Sequence, residues 1–290
     1  MATSDYGPPV DQLLTLGDLR GAREWRDYSQ YGLGPEHVPD LIRMATDDEL
    51  NWGDSESAEV WAPVHAWRAL GQLRAEEAIG PLLDQFEPLD DSDWFREDMP
   101  AVFSLIGPAA VPALRAYLAE PEPGEWAKVC ASTCLAKIGE DHPEARADCV
   151  AALMNQLEAF GDNGDILNAN LIYGLTELRA EEALPLIERA FAAEVVDLAL
   201  MGDWEDVQIE FGVKAERDTP RPNYVAQAMG IDPELLGRLG QLVDSEPTPL
   251  PAPPPAAETT AAQRRAAAER KAKGKRKAAQ QSRRQNRRRR

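Results

Sequence analysis

The sequence contains no apolar run near the roughly 20 residues that a membrane helix needs, so no helical span is expected. Residues 1–10 have neither a basic stretch nor an apolar core, and the N-terminus reads as free of a signal peptide. Cysteine is scarce. Three in 290 residues is an odd number and too few for a disulfide framework, which points to a reducing, cytoplasmic setting. Histidine is as scarce, and none of His37, His65 and His142 belongs to an H-E-x-x-H pattern or precedes a glutamate. The phosphate-cradling loops G-x-x-x-x-G-K-[ST] and G-x-G-x-x-G are absent, as is the serine-centred G-x-S-x-G. The chain therefore reads as non-enzymatic, with no cofactor and no metal.

Charge is abundant but segregated. Residues 1–246 hold seventeen Lys/Arg and forty-eight acids, whereas residues 261–290 hold fourteen Lys/Arg and only Glu269. The acidic body repels phosphate backbones and anionic lipid, and the basic tail attracts them. The two regimes are separated by proline: six of the nine residues from Pro247 to Pro255. Such a run favours extended polyproline geometry and acts as a semi-rigid spacer. Beyond Pro255 there is no aromatic, Val, Ile, Leu or Met, so the tail cannot bury enough surface to offset its ordering entropy. It is expected to be disordered when free.

The body lacks persistent strand alternation and carries a repeat instead. Leu73-Arg74-Ala75-Glu76-Glu77-Ala78 recurs as Leu178-Arg179-Ala180-Glu181-Glu182-Ala183, 105 residues later, which suggests three periods of about 35. Leu70-Gly71, Ile106-Gly107, Ile138-Gly139 and Leu175-Thr176 fall at equivalent places, each after a helix of small and apolar residues. In three of the four units a second helix follows with Pro81, Pro112 or Pro185 near its start, where a missing N–H costs little. The glycines suit the ends of the preceding helices. Val38, Leu41, Ile42 and Ala45 form one more apolar stripe at helical spacing, a partial unit at about 36–50.

The stretch Ala66 to Leu83 resembles the short HEAT-like repeats also called PBS-lyase-type, and the pattern recurs more weakly at Ala131 to Gly139 and Leu171 to Ile187. The resemblance covers about residues 35–215. It implies an all-α solenoid of stacked helical hairpins and is silent on chemistry, because the matching positions are packing positions. The whole chain also resembles uncharacterised bacterial HEAT-like proteins, some of which end in a cysteine-rich SEC-C zinc motif. That motif is absent, since the last cysteine is Cys149. The expected organisation is an N-terminal cap over 1–34, repeats over 35–215, a helical cap over 216–246, a Pro-rich linker over 247–260 and a disordered tail over 261–290.

Candidate chemistry is thin. The histidines read as surface or loop residues. Cys130 and Cys134 share a helix face at i, i+4 and form C-x3-C-x7-H-x6-C with His142 and Cys149, but zinc ligands usually pair on turns, so the three cysteines read as interior thiols. The acidic run Asp90-Asp91-Ser92-Asp93 with Glu97 and Asp98, and the turn Asp162-Asn163-Gly164-Asp165, do not fit a calcium loop and read as solvated loops. Trp67 lies on an apolar stripe and reads as core. Trp52, Trp94 and Trp204 sit among acids and glycines in expected loops, and are the candidate partner-binding residues.

The expected function is a non-enzymatic protein-interaction scaffold whose acidic surface takes a basic or polar protein. RNA or DNA would be held without sequence preference by Arg264, Arg265, Arg270, Lys271, Lys273, Lys275, Arg276, Lys277, Arg283, Arg284, Arg287, Arg288, Arg289 and Arg290. Two alternatives stand beside this: a tail that folds back on the acidic body, and a lyase or nucleic-acid-modifying enzyme acting in the concave groove of the same repeats. A titratable pair with perturbed pKa values in that groove would favour the enzyme.

Overall fold

The computed structural model describes residues 6–19 and 24–224. The chain divides into two compact units, Met1–Ile231 and Asp232–Arg290, and every described residue lies in the first. The expected linker and tail, and the expected cap beyond residue 224, lie outside the described residues.

The described residues are all-α, with no strand among them. The helices are α1 (Val38–Ala45), α2 (Asp48–Asn51), α3 (Ala62–Gln72), α4 (Ile79–Leu83), α5 (Asp93–Ile106) and α6 (Val111–Ala119). They continue with α7 (Glu125–Asp141), α8 (Arg146–Leu157), α9 (Asp165–Glu177), α10 (Leu184–Ala192), α11 (Leu198–Met201) and α12 (Trp204–Glu210). Among them no single helix is long and apolar enough to cross a membrane.

Start signals are written in the side chains. Asp47 accepts from the Glu49 and Leu50 amides to open α2, and Ser92 accepts from the Phe95 amide to open α5. Pro63, Pro112 and Pro185 occupy the first turns of α3, α6 and α10. Val38, Leu41 and Ala45 of α1 are buried, which fits the apolar stripe read there.

Odd-numbered helices pack in chain order, α1 on α3, α3 on α5, α5 on α7 and α7 on α9. The even-numbered ones do the same, α4 on α6, α6 on α8 and α8 on α10. Two rows of helices thus enclose one core, in which Trp67 and Leu70 are buried and Phe86 contacts Phe95 and Phe103 edge-on. Residues 6–19 and 24–37 close onto this core through 3-10 turns, burying Val10, Leu13, Tyr28 and Leu33.

The repeated hexapeptide encodes a repeated helix stop. At the first copy, Arg74 N–H bonds the Gly71 carbonyl (2.9 Å) and Ala75 N–H bonds the Leu70 carbonyl (3.1 Å). At the second, Arg179 N–H bonds the Thr176 carbonyl (2.9 Å) and Ala180 N–H bonds the Leu175 carbonyl (2.9 Å). Both arginines are left-handed, at φ 53° and 51°, as the residue just past a helix commonly is. A 3-10 turn, Glu76–Ala78 or Glu181–Ala183, then leads into α4 or α10.

The glycines correct the sequence reading. Only Gly107 ends its helix, at φ 101°. Gly71 and Gly139 lie inside α3 and α7, because the next helix approaches too closely for a side chain. A Cβ on Gly71 would lie 3.2 Å from the Val102 Cα, and one on Gly139 would lie 2.9 Å from Leu178 Cδ2.

Candidate functional site

Trp61 and Trp94 sit at the entries to α3 and α5, and Trp67 lies within α3. A pocket of about 270 Å³ lies there, lined by Asn51, Ser55, Val60, Trp61, Val64, Trp67, Ser92 and Trp94. The Trp61 and Trp94 rings meet edge to face, with centroids 5.1 Å apart at 82°, a favoured aromatic geometry. Trp67 forms the floor.

That floor is fixed by a buried polar network. Trp67 Nε1 donates to Asp98 Oδ2 (2.9 Å). Arg68 grips the same carboxylate at both ends, Nε to Oδ2 at 2.6 Å and Nη2 to Oδ1 at 2.8 Å. The Arg68 and Asp98 side chains are 6% and 7% exposed, so the pair persists because each charge is fully matched. The Arg68 guanidinium also lies 4.8 Å from the Trp25 ring centroid.

A second depression of about 250 Å³ adjoins the first across Val60, lined by Tyr6, Asp47, Glu49, Asp54 and Glu59 among others. Tyr6 donates to Asp47 Oδ2 (2.9 Å) and carries the Arg43 guanidinium 4.1 Å above its ring. Burial, and then the Asp47 carboxylate, push the Tyr6 hydroxyl well above its ordinary pKa. The surrounding sequence is uniformly acidic. Residues 44–67 hold six acids and residues 75–95 seven, and neither stretch contains a Lys or Arg.

The three tryptophans expected in loops separate. Trp52 caps the end of α2 and is 58% exposed, next to the pocket-lining Asn51. Trp94 is the second residue of α5 and walls the pocket. Trp204 opens α12 and packs on Phe191, centroids 6.0 Å apart, away from the other two in contact terms. Trp94 and Trp204 are thus helical and half-buried rather than loop residues: Ser92 and Asp203 just before them each cap a helix. Trp61 was not distinguished by the sequence, although its spacing from Trp52, Trp67 and Trp94 in an acidic context was the available signal.

His65 corrects the surface reading, because it is fully buried on α3. Its Nε2 lies 3.0 Å from the Gly17 carbonyl and its Nδ1 2.7 Å from the Tyr28 hydroxyl. A carbonyl only accepts, so Nε2 carries the proton and Tyr28 donates to Nδ1. Burial lowers the His65 pKa to about 4 and pushes Tyr28 above its usual range. Both are neutral near pH 7.

Cys130, Cys134 and Cys149 are buried free thiols. Burial raises Cys149 to about 11 and lifts Cys134 well above its ordinary value, with Cys130 adding to the second shift. His142 turns its Nε2 to the Ser104 carbonyl (2.8 Å). Among the described residues no three His, Cys, Asp or Glu side chains gather as a metal site. Asn163 of the Asp162–Asp165 turn bonds the Gln156 carbonyl (3.0 Å) and Asn168 Oδ1 (2.9 Å), so the turn is tied into the fold. Buried Asn168 in turn donates to the Phe160 and Val195 carbonyls (2.9 and 2.8 Å), joining two loops. The fourteen tail cations lie outside the described residues.

Compared with models of known families, with curated proteins and with solved structures, the chain has no match.

Proposed function

We propose that the chain is a non-enzymatic interaction scaffold of the cytoplasm, built as a short HEAT-like α-solenoid. Its acidic body docks a basic or polar protein, and its basic tail holds RNA or DNA without sequence preference. The solenoid reading is supported by two rows of helices that pack in chain order and by the helix stop repeated at Arg74 and Arg179. Three buried free thiols fit a reducing compartment.

The observation that carries the docking role is the tryptophan pocket, which no Lys or Arg lines and whose lining residues come from stretches of chain rich in acids. Rigid aromatic anchors flanked by charge are what interfaces concentrate. The enzyme alternative has less support. The Tyr28–His65 pair is buried, bonded to itself and to Gly17, and shifted away from neutrality on both sides. Shifted neighbours such as Asp203 with Arg217 and Glu205 with Lys214 are ion pairs in which each partner holds the other in its charged form. A general acid or base is useful when its pKa lies near the working pH.

The test is a salt titration of RNA, duplex DNA and an arginine–serine peptide against the full chain and a chain ending at residue 246. Nucleic acid is expected to bind the full chain only, with an affinity that falls steeply as salt rises. The basic peptide is expected to bind both. Equal nucleic-acid binding by the two chains would overturn the tail assignment. Failure of the peptide to bind either would overturn the docking role.

A further inference from the structure

We infer that the pocket between Trp61, Trp67 and Trp94 receives an arginine side chain from the basic partner. This rests on the scaffold reading and names the chemistry that its acidic surface selects. A pocket of about 270 Å³ suits one flat side chain, not a folded element. Its walls are indoles from separate elements: Trp61 just before α3, Trp67 within it and Trp94 in the first turn of α5. Indole faces carry negative electrostatic potential, and tryptophan is the strongest aromatic partner for a cation.

The Trp67 indole is held in place from below. Its N–H points at the Asp98 carboxylate, 2.9 Å away, and the ring is 2% exposed, so it supports the pocket while Trp94 presents the more open indole surface. Asp98 is matched by Arg68 within the core, so no net charge is buried beneath the pocket. The floor is rigid before any ligand arrives, which lowers the ordering cost of binding.

The rim selects for positive charge. The lining residues Asn51, Ser55 and Ser92 offer hydrogen-bond acceptors to guanidinium N–H groups. Asp54, Glu56, Glu59 and Asp91 are exposed in the stretches that supply the lining residues, while Asp93 is already paired with Arg96 at 2.6 Å. The adjoining depression past Val60 is also lined by the exposed Asp54 and Glu59, so an extended chain that seats one arginine meets carboxylates next to it, whereas Asp47 is already engaged by Tyr6 and the first amides of α2. Arginine is favoured over lysine because its planar, weakly hydrated guanidinium stacks on indoles and still offers donors at its edge. The protein already uses this pairing at Arg68 on Trp25, at 4.8 Å, and at Arg96 on Trp126, at 5.2 Å.

The experiment uses the full chain at about 50 mM salt, where surface charges are lightly screened. An arginine–serine peptide, its citrulline counterpart and its lysine counterpart are titrated while the indole N–H resonances are followed. Citrulline keeps the shape and removes the charge. The arginine peptide is expected to move the Trp61 and Trp94 resonances and to bind roughly five- to thirtyfold more tightly than the citrulline peptide. Lysine should fall between them. Trp94→Leu keeps apolar volume but removes the π face, and should lose most of the arginine preference while circular dichroism and the unfolding midpoint report an intact fold. If that variant does not fold, the preference for arginine over lysine and the movement of the Trp61 and Trp94 resonances on the unsubstituted chain decide. Equal affinity for arginine and citrulline, motionless indole resonances, or an unchanged preference in folded Trp94→Leu would each overturn the inference. In the last case the acidic-surface role would survive; with no basic peptide bound at all, both would fall.

Discussion

Arg68 and Asp98 lie 30 residues apart, on the neighbouring helices α3 and α5 of one row, and meet as a buried two-point ion pair, at 2.6 and 2.8 Å. The pair ties α3 to α5 directly beneath the tryptophan pocket. Removing one partner leaves the other charge buried and unmatched, which costs about 3–5 kcal/mol. Asp98→Ala is therefore expected to lower unfolding free energy by that order and to loosen Trp67. A double variant, Arg68→Met with Asp98→Leu, should recover part of the loss, because it removes the unmatched charge but leaves the Trp67 N–H without its acceptor, at a cost of about 1–3 kcal/mol. Urea unfolding of the two variants checks both.

Trp67→Ala should cost about 3–5 kcal/mol, as large truncations in a packed core do. Trp67 is 2% exposed and stacks edge-on against Phe95, with centroids 5.4 Å apart. A loss below about 1 kcal/mol would mean that the indole is not part of the core.

His65 should make stability depend on pH in a defined window. Its pKa is about 4 in the folded chain, below the ordinary 6.5. Below pH 6.5 the unfolded chain takes up a proton that the folded chain refuses. Stability from this group is thus complete above about pH 6.5 and declines as pH falls toward 4, by an amount on the order of 2–3 kcal/mol. His65→Gln should flatten that segment of the stability profile. Denaturant midpoints at pH 7 and pH 4.5 for both chains measure it.

The repeated helix stop can be tested by side-chain shape alone. Arg74 sits at φ 53°, where a β-branched residue is strained. Arg74→Val should cost about 1–2 kcal/mol, whereas Arg74→Gly should be near neutral or slightly stabilising. The same ordering is expected at Arg179, at φ 51°. Thermal unfolding of the four variants gives the answer.

Much of the helical order was legible because it is local. The hexapeptide at residues 73–78 and 178–183 fixes the same stop twice, and the stripe of Val38, Leu41 and Ala45 is buried as its spacing implies. What escaped is non-local. Gly71 and Gly139 look like helix ends in sequence but mark close approach to Val102 and Leu178, which only the packed helices reveal. Arg68, Asp98 and His65 are ordinary surface residue types, and their burial depends on partners 30 to 48 residues away. Trp94 was singled out for its acidic surroundings, yet its meaning depends on Trp61 and Trp67, which no period connects to it. The loop tie at Asn168 was hidden for the same reason, since its carbonyl partners Phe160 and Val195 flank it on both sides.

The most direct test of the scaffold role is the affinity of the chain ending at residue 246 for an arginine–serine peptide, measured from about 50 to 300 mM salt. Binding is expected at the low end and should weaken steeply as salt rises, with an acidic peptide of equal length showing none. No binding at about 50 mM salt, or equal binding of the acidic peptide, would contradict an acidic docking surface.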